Sequence, residues 1–259
     1  MILVGTSGFS YKDWIGPVYP EELPRAEWLS FYARKFPTCE LNFSFYTIPN
    51  ARTLARMAEK VPPGFLFSLK AYRGITHERE EDLRPMIADF KGALQPLIEA
   101  EKFACVLVQF PYAFRATEEN RDYLRRIREE FGDLPLVVEF RRREWVTEAT
   151  FDLLRELQMG FCCVDQPRFR SLIPPIAVVT APIAYVRFHG RNAEKWWNHQ
   201  EAWERYDYRY TEEELQEWVP KIRQMDQEAS LTLAYANNHW QGQAVSTAGM
   251  LQRLLEEAV

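Results

Sequence analysis

Histidine is scarce in this chain: four residues in 259, at positions 77, 189, 199 and 239. A site that gathers several metal ions on imidazoles is therefore short of ligands. The four cysteines, Cys39, Cys105, Cys162 and Cys163, show no C-x-x-C spacing. That excludes a zinc knuckle or disulfide framework and reads as reduced, buried thiols. The 11 glycines include no glycine-rich phosphate loop. No apolar run approaches the roughly 18 residues of a membrane span. No basic stretch leading into an apolar segment opens the chain, so no secretory signal is read and a cytoplasmic protein is expected. The net charge of −5 excludes bulk electrostatic attraction to nucleic acid and leaves room only for a local basic face.

What the chain does have is a repeated alternation. A short apolar run ends in polar residues, a helical or irregular connection follows, and the pattern recurs at roughly the 30-residue length of a βαβ unit. The predicted strands are 2–5, 38–46, 65–70, 104–110, the fifth within 134–145, 161–164, 183–189 and 231–236. Helices are predicted over 24–35, 51–60, 81–100, 118–131, 148–159 and 244–258, with another after the capping box formed by Thr211 and Glu214. Asn50 and Thr117 stand where N-caps are needed, and Gly160 reads as a helix stop. The alternation breaks only in the proline-rich connection 166–181. An aromatic-rich insertion, 191–210, follows the seventh strand. Most of its rings are expected to cover the barrel rim, with one or two facing a ligand. Strict alternation over eight strands predicts a single-domain (β/α)8 TIM barrel over 1–259.

In such a barrel the site lies at the C-terminal strand ends, and here those ends turn polar together: Ser7, Asn42, Lys70, Gln109, Glu139 with Arg141, Asp165, Arg187 with His189, and Asn237. Glu139, Asp165 and His189 are the candidate acids and bases. Ser7, Trp14, Asn42, Lys70, His77, Gln109, Arg141, Trp145, Arg187, Asn237 and Asn238 are the candidate substrate-binding residues. Trp145 is expected to stack on the rim. Plain structural readings stand beside these. Glu139 buried alone would cost roughly several kcal/mol, so it needs a partner such as Arg187, Lys70 or Arg141, and the plain reading of the set is a structural ion pair in the barrel mouth. Asp165 can bond neighbours, and His77 can be a solvated loop residue. Glu40, Glu139, Asp165 and His189 form the donor set a divalent metal would use. Lys70, Arg141 and Arg187 at the same level oppose one and favour a phosphate or carboxylate held by arginine.

The segments GTSGFSYKDWIGPVYP, ELNFSFYTIPN, FLFSLKAYRGITHE, LVQFP, VVEFRRREW, VDQP, YVRFHGR, YDYRYTEEEL and ANNHWQGQA run in order along the chain. Together they resemble the YecE-like family, catalogued as domain of unknown function seventy-two. The resemblance implies a TIM barrel. Through that family's likeness to xylose-isomerase-like and endonuclease-IV-like barrels it also implies a nucleic-acid or phosphodiester substrate. The four histidines depart from the ligand set of a three-metal nuclease. The expected function is an enzyme of hydrolase or isomerase type acting on a phosphorylated or other anionic substrate. The alternative is a non-catalytic protein binding single-stranded nucleic acid or another anion. No protein partner and no membrane are implied.

Overall fold

The computed structural model describes residues 1–79 and 81–257. Eight strands pair in parallel, in sequence order, and close into a barrel. They are β1 (Ile2–Ser7), β2 (Thr38–Leu41), β3 (Leu66–Lys70), β4 (Phe103–Gln109), β5 (Leu136–Glu139), β6 (Met159–Asp165), β7 (Ile183–Phe188) and β8 (Leu231–Ala236). The seam joins β1 to β8, in register from Ile2↔Thr232 to Thr6↔Ala236. Around it lie α1 (Trp28–Tyr32), α2 (Ala51–Glu59), α3 (Arg84–Glu99), α4 (Glu118–Phe131), α5 (Glu148–Glu156), α6 (Ala193–Trp197), α7 (Glu212–Gln216), α8 (Val219–Glu228) and α9 (Gln243–Glu257). Asn50, Thr117 and Thr147 cap α2, α4 and α5 by accepting a backbone N–H into the side chain. Among the described residues no helix is long and apolar enough to cross a membrane.

Several predicted boundaries move. The helix expected over 24–35 is a 3-10 turn, Arg25–Glu27, running into the short α1. The strand expected over 38–46 stops at Leu41, and Phe43–Phe45 form a 3-10 turn. Gly160 does not end α5: it lies inside β6, and Gln158 makes the turn at φ 50°. The helix begun by the Thr211 and Glu214 capping box breaks near Trp218, where Pro220 in the first turn of α8 starts a new one. Residue 258 of the last predicted helix lies outside the described residues.

Strand register decides which side chains face the barrel axis, because residues directly paired in a parallel ladder share a face. Ser7 pairs with Glu40, Glu40 with Ser68, and Lys70 with Leu107. Gln109 pairs with Glu139, and Val164 with Arg187. Low in the barrel the Tyr235 hydroxyl meets Thr38 Oγ1 at 2.6 Å and Ser68 Oγ at 3.0 Å. Charged residues stand above this layer. Gly5 faces inward against β2, where a Cβ would lie 2.1 Å from the Thr38 carbonyl oxygen, a backbone atom that cannot step aside. Gly5→Ala is therefore expected to cost about 1–3 kcal/mol of stability by urea denaturation. Gly92→Ala, in α3 with nothing within 4 Å, is expected to be neutral or stabilising. Equal effects at the two glycines would contradict this account of the contact between β1 and β2.

Candidate functional site

The floor of the barrel mouth is a buried charge network centred on Arg187. Its Nη1 donates to Glu139 Oε2 at 2.6 Å and its Nη2 to Glu40 Oε1 at 2.7 Å. Nη2 also lies 3.5 Å from Ser7 Oγ. Tyr185 donates its hydroxyl to Glu40 Oε2 at 2.6 Å. Glu139 Oε1 receives Arg141 Nη2 at 2.9 Å and His189 Nε2 at 3.1 Å. Burial pushes the Glu139 carboxyl up, but Arg141, Arg187 and His189 outweigh it and hold the group well below the usual carboxylate range. His189 is pushed down to about 3, first by burial and then by Arg141 and Arg187, against the pull of Glu139. It is a neutral imidazole: the Asn237 amide donates to Nδ1 at 2.9 Å, which leaves Nε2–H to donate to Glu139.

Above this floor opens a cleft of about 440 Å3. Arg141, Arg187, Lys70, Asn42 and Asn237 line it from the polar side. Phe9, Tyr11, Phe43, Phe45, Tyr46, Tyr206 and His239 supply aromatic walls. The His239 ring stacks on Tyr11 with centroids 4.6 Å apart and planes 2° apart. Lys70 ends β3 with its Nζ 4.1 Å from the Phe45 ring centroid. Among the described residues no carboxylate lies within ion-pair distance of it. Burial, then Arg187 and Arg141, lower its ammonium to about 7, against the opposing pull of Glu139 and Glu40. Arg141 Nη1, Arg187 Nε, Asn42 Oδ1 and His239 Nδ1 are buried without a protein partner. Three basic side chains thus face two carboxylates, and the surplus positive charge belongs to Lys70 and Arg141.

The structure brings Glu139, His189, Arg187, Arg141, Asn237, Ser7 and Lys70 together, with Asn42 on the adjoining wall. Others of the expected set lie elsewhere. Asp165 pairs in register with Phe188, one step out of phase with the inward Val164 and Arg187, so it points out under the helices. There it takes both prongs of Arg191 at 2.8 and 2.9 Å, the Tyr210 hydroxyl at 2.7 Å and Trp218 Nε1 at 2.7 Å. It is a saturated anchor and not a base in the cleft. Trp145 is wholly buried behind β5, stacked on Phe140 and donating to the Phe114 carbonyl, instead of standing on the rim. Trp14 is also buried and ties two loops by donating to the His239 carbonyl at 2.7 Å. Asn238 donates to the Tyr208 carbonyl and to Thr247. Gln109 donates to the neighbouring Phe110 carbonyl. His77 is exposed on a π-helical turn, Gly74–Glu78, edge-on to Phe45. Partial burial of the ring against Phe45, then Lys70 and Arg141, lower it to about 4.

Sequence reasoning missed Tyr11, His239, Tyr206 and the Phe43–Tyr46 turn as cleft walls, and it weighed Glu40 only as a metal ligand. The A-N-N-H-W run after β8 was the one available signal for His239. For Phe43–Tyr46 the hydrophobic alternation pointed to strand. The four residues weighed as metal ligands are divided here, since the Arg187 guanidinium lies between Glu40 and Glu139 while Asp165 faces away. Among the described residues no group of three or more His, Cys, Asp and Glu is placed to hold a metal ion. In the insertion, Trp196 is buried, Trp203 stacks on Trp240 at 3.8 Å and Tyr208 donates to Glu214, leaving Tyr206 as the ring that reaches the cleft.

This chain is 32% identical to the UPF0759 protein YunF of Bacillus subtilis (strain 168), over 99% of its own length and 95% of that protein's. The crystal structure of a DUF72 family protein from Thermotoga maritima superposes with a TM-score of 0.92 at 38% identity, covering 99% of each chain. An AP endonuclease, family 2, from Brucella melitensis superposes with a TM-score of 0.52 at 9% identity, covering 95% of this chain and 96% of that one. At that identity the likeness is one of fold alone. The model of a family described as a protein of unknown function, DUF72, matches residues 3–259; the chain belongs to that family, the one its YecE-like motifs resemble.

Proposed function

We propose that this protein is an enzyme whose substrate carries a phosphate or another anionic group, bound in the cleft by Arg141 and Lys70. The observation that carries the reading is the uneven pairing of the basic residues. Arg187 bridges two carboxylates, whereas Arg141 meets only Glu139, which it shares with Arg187, and its Nη1 has no partner. Lys70 meets no carboxylate among the described residues. A guanidinium with free donors beside an ammonium suits an oxyanion. Glu139 and His189 hold the site in shape: Glu139 is fixed as a carboxylate by three donors, and both His189 nitrogens are engaged. Proton transfer in the cleft falls to Lys70, poised near neutrality.

Inorganic phosphate and a panel of sugar phosphates are expected to raise the melting temperature of the wild-type protein. The effect should fade with added salt. Arg141→Gln is expected to weaken phosphate binding by about tenfold or more, since a charged hydrogen bond contributes about 1.5–3 kcal/mol. Calorimetric titration checks this, and equal phosphate affinity in the variant would sink the assignment.

A second reading has its own support. Phe43 and Tyr46 stand exposed at the cleft rim, 41% and 70% accessible, beside the cationic floor. Such rings suit stacking by the bases of a single strand. On that reading the protein binds oligonucleotides without turning them over, and Phe43→Ala with Tyr46→Ala weakens oligonucleotide binding while leaving inorganic phosphate binding intact.

A further inference from the structure

We propose that Lys70 is a nucleophile that forms an imine with an aldehyde or ketone bearing an anionic group. This rests on the anion-binding reading of the cleft and narrows its substrate class to phosphorylated or carboxylated carbonyl compounds. The geometry comes first. Lys70 is the last residue of β3, at the barrel end where the cleft opens, and it faces inward with its register partner Leu107. Its carbonyl accepts Ser44 Oγ at 2.6 Å, which fixes the root of the side chain. Its amine lies over the Phe45 ring, while the neighbouring carboxylates are already engaged. Glu139 from β5 takes Arg141, Arg187 and His189, and Glu40 from β2 takes Arg187 and Tyr185.

The charged and titratable groups that face Lys70 are Arg187 from β7, Arg141 after β5, Glu139, Glu40 and the neutral-leaning His77 of the π-helical turn. Burial, Arg187 and Arg141 favour the free amine over the ammonium, against the cation–π contact with Phe45, and such a setting activates a lysine nucleophile. With the ammonium lowered to about 7, the free amine is a substantial share of Lys70 at neutral pH. For an ordinary lysine that share is about one in three thousand.

The step balances without an outside reagent. The ammonium sheds one proton to the cleft solvent. The amine pair then forms a C–N bond to the carbonyl carbon, and the carbonyl π pair moves to oxygen. A proton passes from nitrogen to that oxygen, giving a carbinolamine. The shed proton returns to the hydroxyl, the C–O bond breaks, water leaves, and the nitrogen pair completes a protonated imine. Arg141 holds the anionic end of the substrate while this happens. The protonated imine is an electron sink for the bonds next to the former carbonyl carbon, which suits proton abstraction or carbon–carbon cleavage there.

The test treats the full-length protein with pyridoxal 5′-phosphate or glyceraldehyde 3-phosphate, reduces with sodium borohydride and maps the adduct by peptide mass spectrometry. The expected result is one preferred adduct at Lys70. Its formation rate should rise with pH around a midpoint near 7, fall at least tenfold in Arg141→Gln and under inorganic phosphate, and vanish in Lys70→Arg and Lys70→Met. Adducts scattered over surface lysines without preference for Lys70, or a midpoint near that of an ordinary lysine, overturn the proposal. The two layers separate cleanly. Phosphate binding at Arg141 with Lys70 unreactive removes the imine and leaves the anion site. Trapping of Lys70 by neutral glyceraldehyde at the same rate, indifferent to phosphate and to Arg141→Gln, keeps the nucleophile and removes the anion site.

Discussion

Arg187→Met is expected to cost about 3–5 kcal/mol of stability, the penalty for stripping one partner from a buried ion network. Arg187 is 2% exposed and bridges Glu40 and Glu139, both fully buried, at 2.7 and 2.6 Å. Methionine fills a similar volume but leaves Glu40 with the Tyr185 hydroxyl alone. For a chain of this size the melting temperature should fall by roughly 10 °C. Arg187→Lys should fall between the two proteins, since one ammonium cannot span two carboxylates as a guanidinium does. Adding Glu40→Gln and Glu139→Gln to Arg187→Met should recover part of the loss, because the uncompensated charges go with the network that required them. Differential scanning calorimetry of the four proteins decides the matter. A loss below 1 kcal/mol in Arg187→Met would falsify the view that this network is fully desolvated and interdependent.

The second large effect is acid lability that sets in above the carboxylate range. The native state holds His189 at about 3, chiefly through burial, while in the unfolded chain it titrates near 6.5. Between those two values the unfolded chain binds a proton that the folded protein does not. Stability therefore falls as pH drops through this window, by up to about 1.4 kcal/mol per pH unit. Glu139 acts lower. Its native carboxyl is held well below the ordinary 4.5, so its contribution is present above that value and is lost as pH falls beneath it. Over pH 6.5 to 4.5 the slope is thus a histidine effect, amounting to about 2–3 kcal/mol. His77 and His239 run in the same direction, with His77 damped by its solvent exposure. His189→Gln keeps a donor for Glu139 and cannot titrate. It should be less stable than wild type at pH 7 yet show a slope smaller by nearly one proton between pH 6.5 and 4.5. Urea denaturation at stepped pH measures this, and parallel slopes would place the proton elsewhere.

The barrel was legible because eight apolar runs each end in polar residues, and parallel strands buried on both faces must read that way. Boundaries failed where two signals compete. Thr38–Tyr46 alternates like a strand for nine residues, but the chain turns after Leu41 so that Ser44 can donate to the Leu41 and Lys70 carbonyls. Gly160 looks like a helix stop, yet it is needed inside β6, where a Cβ would press on the Ile183 carbonyl oxygen at 2.8 Å. Of the candidate site, the polar strand ends marked the ring around Arg187, but they marked Asp165 equally, because a polar strand end says nothing about which face its side chain takes. Trp145 and Trp14 were mistaken for contact residues because the hydrogen bond that buries an indole is made to a carbonyl distant in sequence. The aromatic walls were the least legible part, since they come from turns whose path is set by tertiary contacts.

The bond from Trp14 to the carbonyl of His239 spans 225 positions of the chain. Its neighbours repeat the pattern: Tyr11 stacks on His239, and the Gln241 amide donates to Asp13 at 2.6 Å. The residues of this one wall are therefore translated far apart in time. At about 5–20 residues per second, the ribosome holds these two ends apart for roughly 10–45 s. In that time β1 has no β8 beside it, and Tyr11 lacks the imidazole it stacks on. A chain that stops before β8 lacks both the strand that closes the barrel on β1 and the His239 that completes this wall, so the cleft is finished in one step by the segment from β8 onward.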